Sequence, residues 1–150
     1  MKITVDIIIE ILNDGQQEGS MLKTHNGIVL IDRKYEPLGY ALPGGHVDDG
    51  ETTIEAAYRE ALEETGLKVT NLRQFHTYSH HSRDPRGQKI GIVYIASAIG
   101  QPKGQDDAAA AWIADAEFIA RHAASMCFDH GQILTEYFHF KKTGEMPTRE

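Results

Sequence analysis

The chain has 150 residues, 41% of them hydrophobic, and a formal net charge of −7 at pH 7, which suits one domain over residues 1–150 and argues against a broad DNA- or RNA-binding surface. No apolar run approaches the roughly 20 residues that cross a bilayer, so no membrane partner is expected. A single cysteine, Cys127, excludes an intramolecular disulfide and suits the reducing cytoplasm, where we expect the protein.

Apolar residues in alternating, continuous or helical spacing predict the secondary structure in chain order. The elements are a strand over residues 2–12, a polar loop over 13–20, a strand over 27–33, a glycine-rich loop over 41–51, a helix over 52–65, strands over 68–81 and 89–99, a short strand over 109–114, a short helix over 115–124, and an amphipathic helix that starts near residue 129. Strands mixed with a few helices indicate an α/β or α+β domain.

The helix over residues 52–65 has a recognisable start and end. Thr52 and Glu55 form a T-x-x-E capping box, and Gly66 occupies a position that favours positive φ. At 100° per residue, one apolar face is predicted to bury against the sheet. Its residues are Ile54, Ala57, Tyr58, Ala61 and Leu62.

Three glutamates, Glu60, Glu63 and Glu64, are predicted to share another face of this helix, within about 100° of arc. They are badly placed for stability, because like charges at i and i+4 and anions in the last helical turn each cost up to about 1 kcal/mol. One remedy is a bound divalent cation, since such ions prefer oxygen ligands. The alternative is a solvated acidic helix end that Arg59 partly neutralises.

The spacing of charged residues and glycines around this helix is specific. It follows the pattern G-x5-E-x7-R-E-A-x-E-E-x-G-L, at Gly45, Glu51, Arg59, Glu60, Ala61, Glu63, Glu64, Gly66 and Leu67. This pattern resembles the signature of the Nudix hydrolases, and it departs only at Ala61, where a larger aliphatic residue is usual. The resemblance implies an α/β/α sandwich in which a mixed β-sheet lies between helices.

The resemblance also implies hydrolysis of a nucleoside diphosphate linked to another group, with Mg²⁺ or Mn²⁺ as cofactor. By position, the family's metal ligands match Glu60, Glu63 and Glu64, with help from Glu51 and from the backbone carbonyl of Gly45. Metal ions in such a site neutralise the diphosphate and prepare a water molecule for attack on phosphorus.

Two further roles follow from the same resemblance. Arg59 orients the acids, chiefly Glu63, and does not touch the substrate. Glu64 is the first choice for the general base that accepts a proton from the attacking water, although the base varies among Nudix subfamilies and can come from a later loop.

Three more segments resemble a subgroup of ADP-ribose pyrophosphatases, which form AMP and ribose 5-phosphate. They are "SRDPRGQKIGIVYIA" (82–96), "GQDDAAAAW" (104–112) and "FDHGQIL" (128–134). One departure weakens this assignment, because relatives often carry Glu-Ala-Arg just before the tryptophan, where this chain has Ala109, Ala110 and Ala111.

The candidate substrate-binding residues lie in these segments and at the end of the second predicted strand. They are Arg33, Arg83, Arg86, Asp106 and Asp107. Arg83 and Arg86 either bind a phosphate or ribose or pair with Asp84 in the D-P-R-G turn. Asp106 and Asp107 either lie near the metals or are solvated loop acids. Asp129 is predicted to be the N-cap of the last helix.

Two other functions stay open. The first is a Nudix pyrophosphatase for nucleoside triphosphates, dinucleoside polyphosphates or another nucleotide sugar. The second is a non-catalytic module that senses ADP-ribose, which is disfavoured because the signature acids are intact and the segment after the last predicted helix is too short for a DNA-binding domain. Relatives of this type are often dimers that share the nucleotide site, so a homodimer is expected.

Overall fold

A computed structural model of the chain describes residues 1–12 and 27–148, so the polar loop predicted at 13–20 lies outside the described residues. The elements are β1 (Lys2–Ile11), β2 (Gly27–Arg33), β3 (Tyr40–Ala41), β4 (Gly44–His46), α1 (Thr53–Thr65), β5 (Thr70–Tyr78), β6 (Lys89–Ala98), β7 (Ala108–Ala114), α2 (Ala116–His122), a 3-10 turn (Ala123–Ser125) and α3 (His130–Thr143). Within the described ranges, no helix is both long enough and apolar enough to cross a membrane.

The strands form one mixed sheet with β1 at its centre. β1 runs parallel to β6 over ten residue pairs, from Lys2 opposite Lys89 to Ile11 opposite Ala98. The main strand order is β3-β2-β1-β6-β5, while β4 also pairs with β1 and β7 also pairs with β2. All pairings other than β1 with β6 are antiparallel.

Helices cover both faces of the sheet, because successive side chains of a strand point to opposite sides. Ile8 of β1 packs in the cluster that contains Ile133 and Leu134 of α3. Ile7 and Ile9 pack in the other cluster, which contains the alanines of α1. The predicted α/β/α arrangement with a mixed sheet is therefore confirmed.

The prediction of an unbroken loop over residues 41–51 is wrong, because β3 and β4 lie partly or wholly inside it. Proline and glycine are rare in strands, so the "PGGH" sequence gave no strand signal. These short strands form because they pair with β2 and β1. Gly44 is required there, since a Cβ at this position would lie 2.2 Å from the carbonyl oxygen of Val5.

The predicted ends of α1 are confirmed. The backbone N–H of Glu55 donates to the Thr52 hydroxyl over 3.1 Å, and the backbone N–H of Thr52 donates to the Glu55 carboxylate over 2.8 Å. At the other end, Gly66 has φ 71° and donates its N–H to the carbonyl of Leu62.

The predicted buried face of α1 is confirmed at Ala57 and Ala61, which are fully buried, and wrong at its three large residues. Ile54, Tyr58 and Leu62 are 52%, 45% and 44% exposed. The side that faces the sheet consists of Ala56, Ala57, Ala61, Glu64 and Thr65. Small alanines let the helix lie close to the sheet, and this orientation turns one of the three signature glutamates inward. The prediction assigned the largest apolar residues to the core, and this assumption gave the wrong orientation of the helix about its axis.

A matched pair of substitutions tests this orientation. Leu134→Ala removes a side chain that is fully buried, and we expect a loss of about 2–5 kcal/mol in the free energy of unfolding. Leu62→Ala makes the same chemical change on the exposed face of α1, and we expect a loss below about 1 kcal/mol. Urea unfolding of both variants measures the difference, and equal losses would contradict the orientation described here.

Candidate active site

A cleft of about 110 Å³ lies beside the first half of β1, between β4, the end of β2 and the segment that precedes α3. Six of the residues predicted from the sequence line it, namely Arg33, Gly45, Glu64, Arg83, Arg86 and Asp107. The structure therefore brings together residues from five separate parts of the chain. Acidic and basic groups share the cleft, which suits a ligand that carries both anionic groups and metal ions.

Glu64 is one of the buried acids of this cleft. It is 4% exposed and its carboxylate accepts a hydrogen bond of 3.0 Å from the backbone N–H of Gly44. Burial, together with the negative charges of Glu60, Asp107 and Asp6, raises the pKa of Glu64 to about 8, although the hydrogen bond from Gly44 opposes this change. The ionised side chain is thus costly here without a cation.

The loop before β7 attaches to the end of α1 and carries Asp107 into the cleft. The N–H of Lys103 donates to the carbonyl of Thr65 over 2.9 Å, and the N–H of Gln105 donates to the carbonyl of Glu64 over 3.3 Å. Both acids are exposed, but Asp107 lines the cleft and Asp106 is not among the residues that line it. The two acids of the D-D pair therefore differ in position.

Arg59 donates hydrogen bonds to three of the other acids. It donates to Glu51 over 2.7 and 2.9 Å, to Glu60 over 2.8 Å and to Glu63 over 3.1 Å. Its closest partner is Glu51, whose pKa its hydrogen bonds lower to about 2. A further hydrogen bond of 2.9 Å to the carbonyl of His46 anchors Arg59 to the loop before α1.

The three signature glutamates differ in exposure, so the alternative of a solvated acidic helix end does not describe them all. The side chain of Glu63 is 43% exposed and that of Glu60 is 12% exposed, while Glu64 points into the cleft. Burial raises the pKa of Glu60, although Arg59 opposes this change. Within residues 1–12 and 27–148, no three histidine, cysteine or carboxylate side chains are arranged to hold a metal ion. Glu60 and Glu63 each accept a hydrogen bond from Arg59.

The donor set nonetheless fits a hard divalent cation. Carboxylate oxygens and a backbone carbonyl are the ligands that Mg²⁺ and Mn²⁺ accept. Gly45 allows a close approach, since a Cβ there would lie 2.3 Å from Oε1 of Glu60. Among the described residues, no cation pairs with the Glu64 carboxylate, so a metal ion would supply the missing positive charge.

A buried ion network forms the floor of the cleft. The Arg83 guanidinium donates twice to Asp129, over 2.9 Å each, and to Asp6 over 3.3 Å. His130 accepts the N–H of Leu42 at Nδ1 over 2.9 Å, so its Nε2 carries the proton that faces Asp6 at 3.3 Å. Burial opposes ionisation of Asp6, but His130 and Arg83 outweigh it and lower its pKa.

This network corrects the pairing predicted for Arg83 and explains why the predicted N-cap, Asp129, does not cap with its side chain. Arg83 does not pair with Asp84, because its side chain is 4% exposed and committed to other carboxylates. Asp129 occupies the N-cap position of α3, but its side chain makes no capping hydrogen bond, since it binds Arg83. Arg86, in contrast, does pair with Asp84, over 3.0 and 2.8 Å.

Several residues that line the cleft were missed from the sequence. They are Thr4, Asp6, Leu42, Gly44, His46, Phe128 and His130. Asp6 gave a signal, because it is the one acid inside the apolar run "ITVDIII". His46 Nε2 is buried without a hydrogen-bond partner among the described residues, and burial followed by the charge of Lys89 lowers the pKa of His46. The sequence around His46 gave no indication that this residue lines the cleft.

The comparisons with known proteins agree with this geometry. The profile of the NUDIX domain matches residues 5–137. The ADP-ribose pyrophosphatase of Methanocaldococcus jannaschii is 42% identical over 127 residues, which cover 81% of this chain and 71% of that protein.

Two solved structures are similar over most of the chain. A bifunctional NMN adenylyltransferase/ADP ribose pyrophosphatase from Francisella tularensis, complexed with AMP and a Mn ion, is 27% identical with a TM-score of 0.75. The match covers 93% of this chain but only 42% of that one. The NUDIX domain of Shewanella oneidensis NrtR, complexed with ADP ribose, is 25% identical with a TM-score of 0.72, and the match covers 92% of this chain and 86% of that one.

The raised pKa of Glu64 predicts a stability that depends on pH when no divalent metal is present. The folded-state pKa of about 8 lies above the ordinary value of 4.5, so the folded protein holds a proton that the unfolded chain releases between these values. The resulting stabilisation is complete below pH 4.5 and is lost as the pH rises through 8. We expect Glu64→Gln to lose this component, which amounts to a few kcal/mol at most.

The measurement is thermal unfolding in EDTA at pH 6 and pH 9 for the natural sequence and for Glu64→Gln. Other titrating groups contribute to both proteins, so the difference between them isolates Glu64. Parallel pH profiles would show that Glu64 titrates near its ordinary value.

Proposed function

The chain belongs to the Nudix family, and from this premise we propose that it is a divalent-metal-dependent pyrophosphohydrolase that cleaves ADP-ribose to AMP and ribose 5-phosphate. The observation that carries the proposal is the meeting of the buried Glu64 carboxylate with the guanidinium groups of Arg33 and Arg86 in one cleft. Carboxylates hold the metal, and arginines hold the phosphates. The archaeal ADP-ribose pyrophosphatase supports the choice of substrate.

The metal ligands in this proposal are Glu60, Glu63 and Glu64, assisted by Glu51 and the carbonyl of Gly45. Mg²⁺ is the expected ion and Mn²⁺ the alternative. When bound, such an ion neutralises phosphate oxygens and makes water more acidic. Glu60 and Glu63, which accept hydrogen bonds from Arg59, would hold the ion together with Glu64, and Arg59 is itself fixed by Glu51 and the backbone carbonyl of His46.

The chain's own residues supply the remaining chemistry. Glu64 is the proposed general base, because its buried carboxylate lines the cleft in which the attacking water would lie. Arg33 and Arg86 bind the diphosphate and Asp107 lies near its metal-binding end. Arg83 is better assigned to positioning than to substrate contact, since its donors are taken by Asp6 and Asp129.

The assembly and setting are further parts of the proposal. We propose one domain over residues 1–150 that acts on a small-molecule substrate in the cytoplasm as a homodimer. Size-exclusion chromatography with light scattering tests the dimer directly. A monomer at micromolar concentration would contradict the homodimer, because each nucleotide site would then be formed by one chain.

The observations also support two other functions. Nudix cleavage of another nucleotide uses the same cleft. An ADP-ribose sensor is favoured by the likeness to the NrtR domain, and it predicts ADP-ribose binding without turnover that depends on Mg²⁺.

A substrate panel separates these functions. We expect ADP-ribose with Mg²⁺ to be cleaved faster than dGTP or diadenosine tetraphosphate, and mass spectrometry to detect AMP and ribose 5-phosphate. With ¹⁸O-water, the product that carries the label identifies the phosphorus attacked. Equal rates for all three nucleotides would remove the ADP-ribose assignment, and binding without cleavage would favour the sensor.

Glu64→Gln tests the central acid. We expect kcat for ADP-ribose to fall by at least about 100-fold, because the variant loses both a metal ligand and a base. Glu117→Gln is the matched control, since Glu117 is an exposed acid of α2 and its removal should leave kcat within about twofold. Circular dichroism and Mn²⁺ binding by electron paramagnetic resonance show whether the fold survives and whether the metal site weakens. Near-normal turnover in Glu64→Gln would exclude Glu64 as an essential ligand or base.

A further inference from the structure

Phe128 has an unusual backbone conformation in the segment between the 3-10 turn and α3. Its φ is 57°, in the left-handed region, which is unfavourable for a bulky side chain. The other described residues with positive φ, apart from glycines, are Asn71 and Asp106, and short polar residues adopt this conformation more easily. The surrounding structure must therefore hold Phe128 in place.

Anchors on both sides of Phe128 explain how it is held. The N–H of Cys127 donates to the carbonyl of Tyr40 over 2.9 Å, which ties the segment to β3. On the other side, the Asp129 carboxylate receives the two hydrogen bonds from the buried Arg83. With both neighbours fixed, the ring of Phe128 lines the cleft and also a second cavity of about 440 Å³ beside it.

Two arginines meet at this ring. The Cζ atoms of Arg33 and Arg86 lie 5.0 and 5.1 Å from its centroid, within the range of about 6 Å for a cation–π contact. They come from the end of β2 and from the D-P-R-G turn, which are far apart in the sequence. Phe128 is the aromatic side chain that both guanidinium groups contact.

Each arginine keeps donors for a ligand. Arg33 donates from Nε to the carbonyl of Pro37 over 2.7 Å and from Nη2 to that of Glu36 over 3.4 Å. Arg86 uses Nε and Nη2 for Asp84. Neither Nη1 group donates to another residue within the described ranges. Two like charges at one ring repel each other, and an anion between them relieves that repulsion.

We propose that Phe128 is a positioning residue whose ring holds Arg33 and Arg86 as a clamp for a phosphate of the substrate diphosphate. The inference rests on the proposed function, because it assigns the anion-binding half of the same cleft. The ring supplies a surface that both guanidinium groups share, so it orders two flexible side chains before the anion arrives. Phosphate binding then costs less side-chain entropy.

Phe128→Leu tests this role and Phe128→Tyr is its rescue. Leucine retains an apolar side chain that can pack near Ile31, Ala41 and Cys127 but loses the π face, whereas tyrosine keeps that face. We expect Phe128→Leu to raise the Kd of inorganic pyrophosphate and the KM of ADP-ribose by about 10-fold. Since the clamp acts on ground and transition states alike, kcat should stay within about twofold. Phe128→Tyr should restore both constants.

Calorimetry with inorganic pyrophosphate and Mg²⁺ measures the clamp without relying on catalysis, and Phe138→Leu provides the same substitution in α3 away from the arginines. An unchanged Kd in Phe128→Leu would overturn the proposal, and so would equal losses in the leucine and tyrosine variants, because a purely structural role predicts them. If the natural protein binds pyrophosphate through Phe128 but does not cleave ADP-ribose, the proposed function fails and the clamp stands.

Discussion

The buried carboxylate of Glu64 is the constraint around which the rest of the site is arranged. A carboxylate placed between helix and sheet is unfavourable unless it is neutralised or paired with positive charge. The alanines of α1 bring the helix close enough to the sheet for Gly44 to donate its N–H to this group. The loop before β7 attaches to the same residue through its backbone carbonyl. Within the described part of the chain, the Glu64 carboxylate thus receives one backbone hydrogen bond, and its charge is left to a ligand.

The arginines around the cleft have three separate tasks. Arg59 holds acids on the outer side of α1. Arg83 is buried with Asp6 and Asp129 and ties β1 to the start of α3. Arg33 and Arg86 stay partly accessible at the ring of Phe128. Sequence alone could not separate these tasks, because the number of carboxylates near an arginine depends on which distant segments fold against it.

Much of the architecture was predictable from local patterns, whereas the site's interior was not. The capping box of Thr52 and the glycine after α1 depend on neighbouring residues, so the ends of that helix were predicted correctly. Its orientation depends on how closely the sheet approaches, and the exposure of Ile54 contradicts a prediction made from hydrophobicity alone. β3 and β4 were missed because pairing with other strands, and not their own composition, makes them extended. Phe128 was missed for a similar reason, since its anchors come from other segments.

The long parallel pairing of β1 with β6 has a consequence for how the chain folds. Strands that begin at residues 2 and 89 must find each other before the central ladder exists. Such distant pairing requires closing a long loop, which slows folding compared with local contacts. During synthesis on the ribosome, the isoleucine-rich β1 emerges well before its partner, so its apolar side chains stay exposed for an extended period. Protection by a chaperone would be most valuable in that interval.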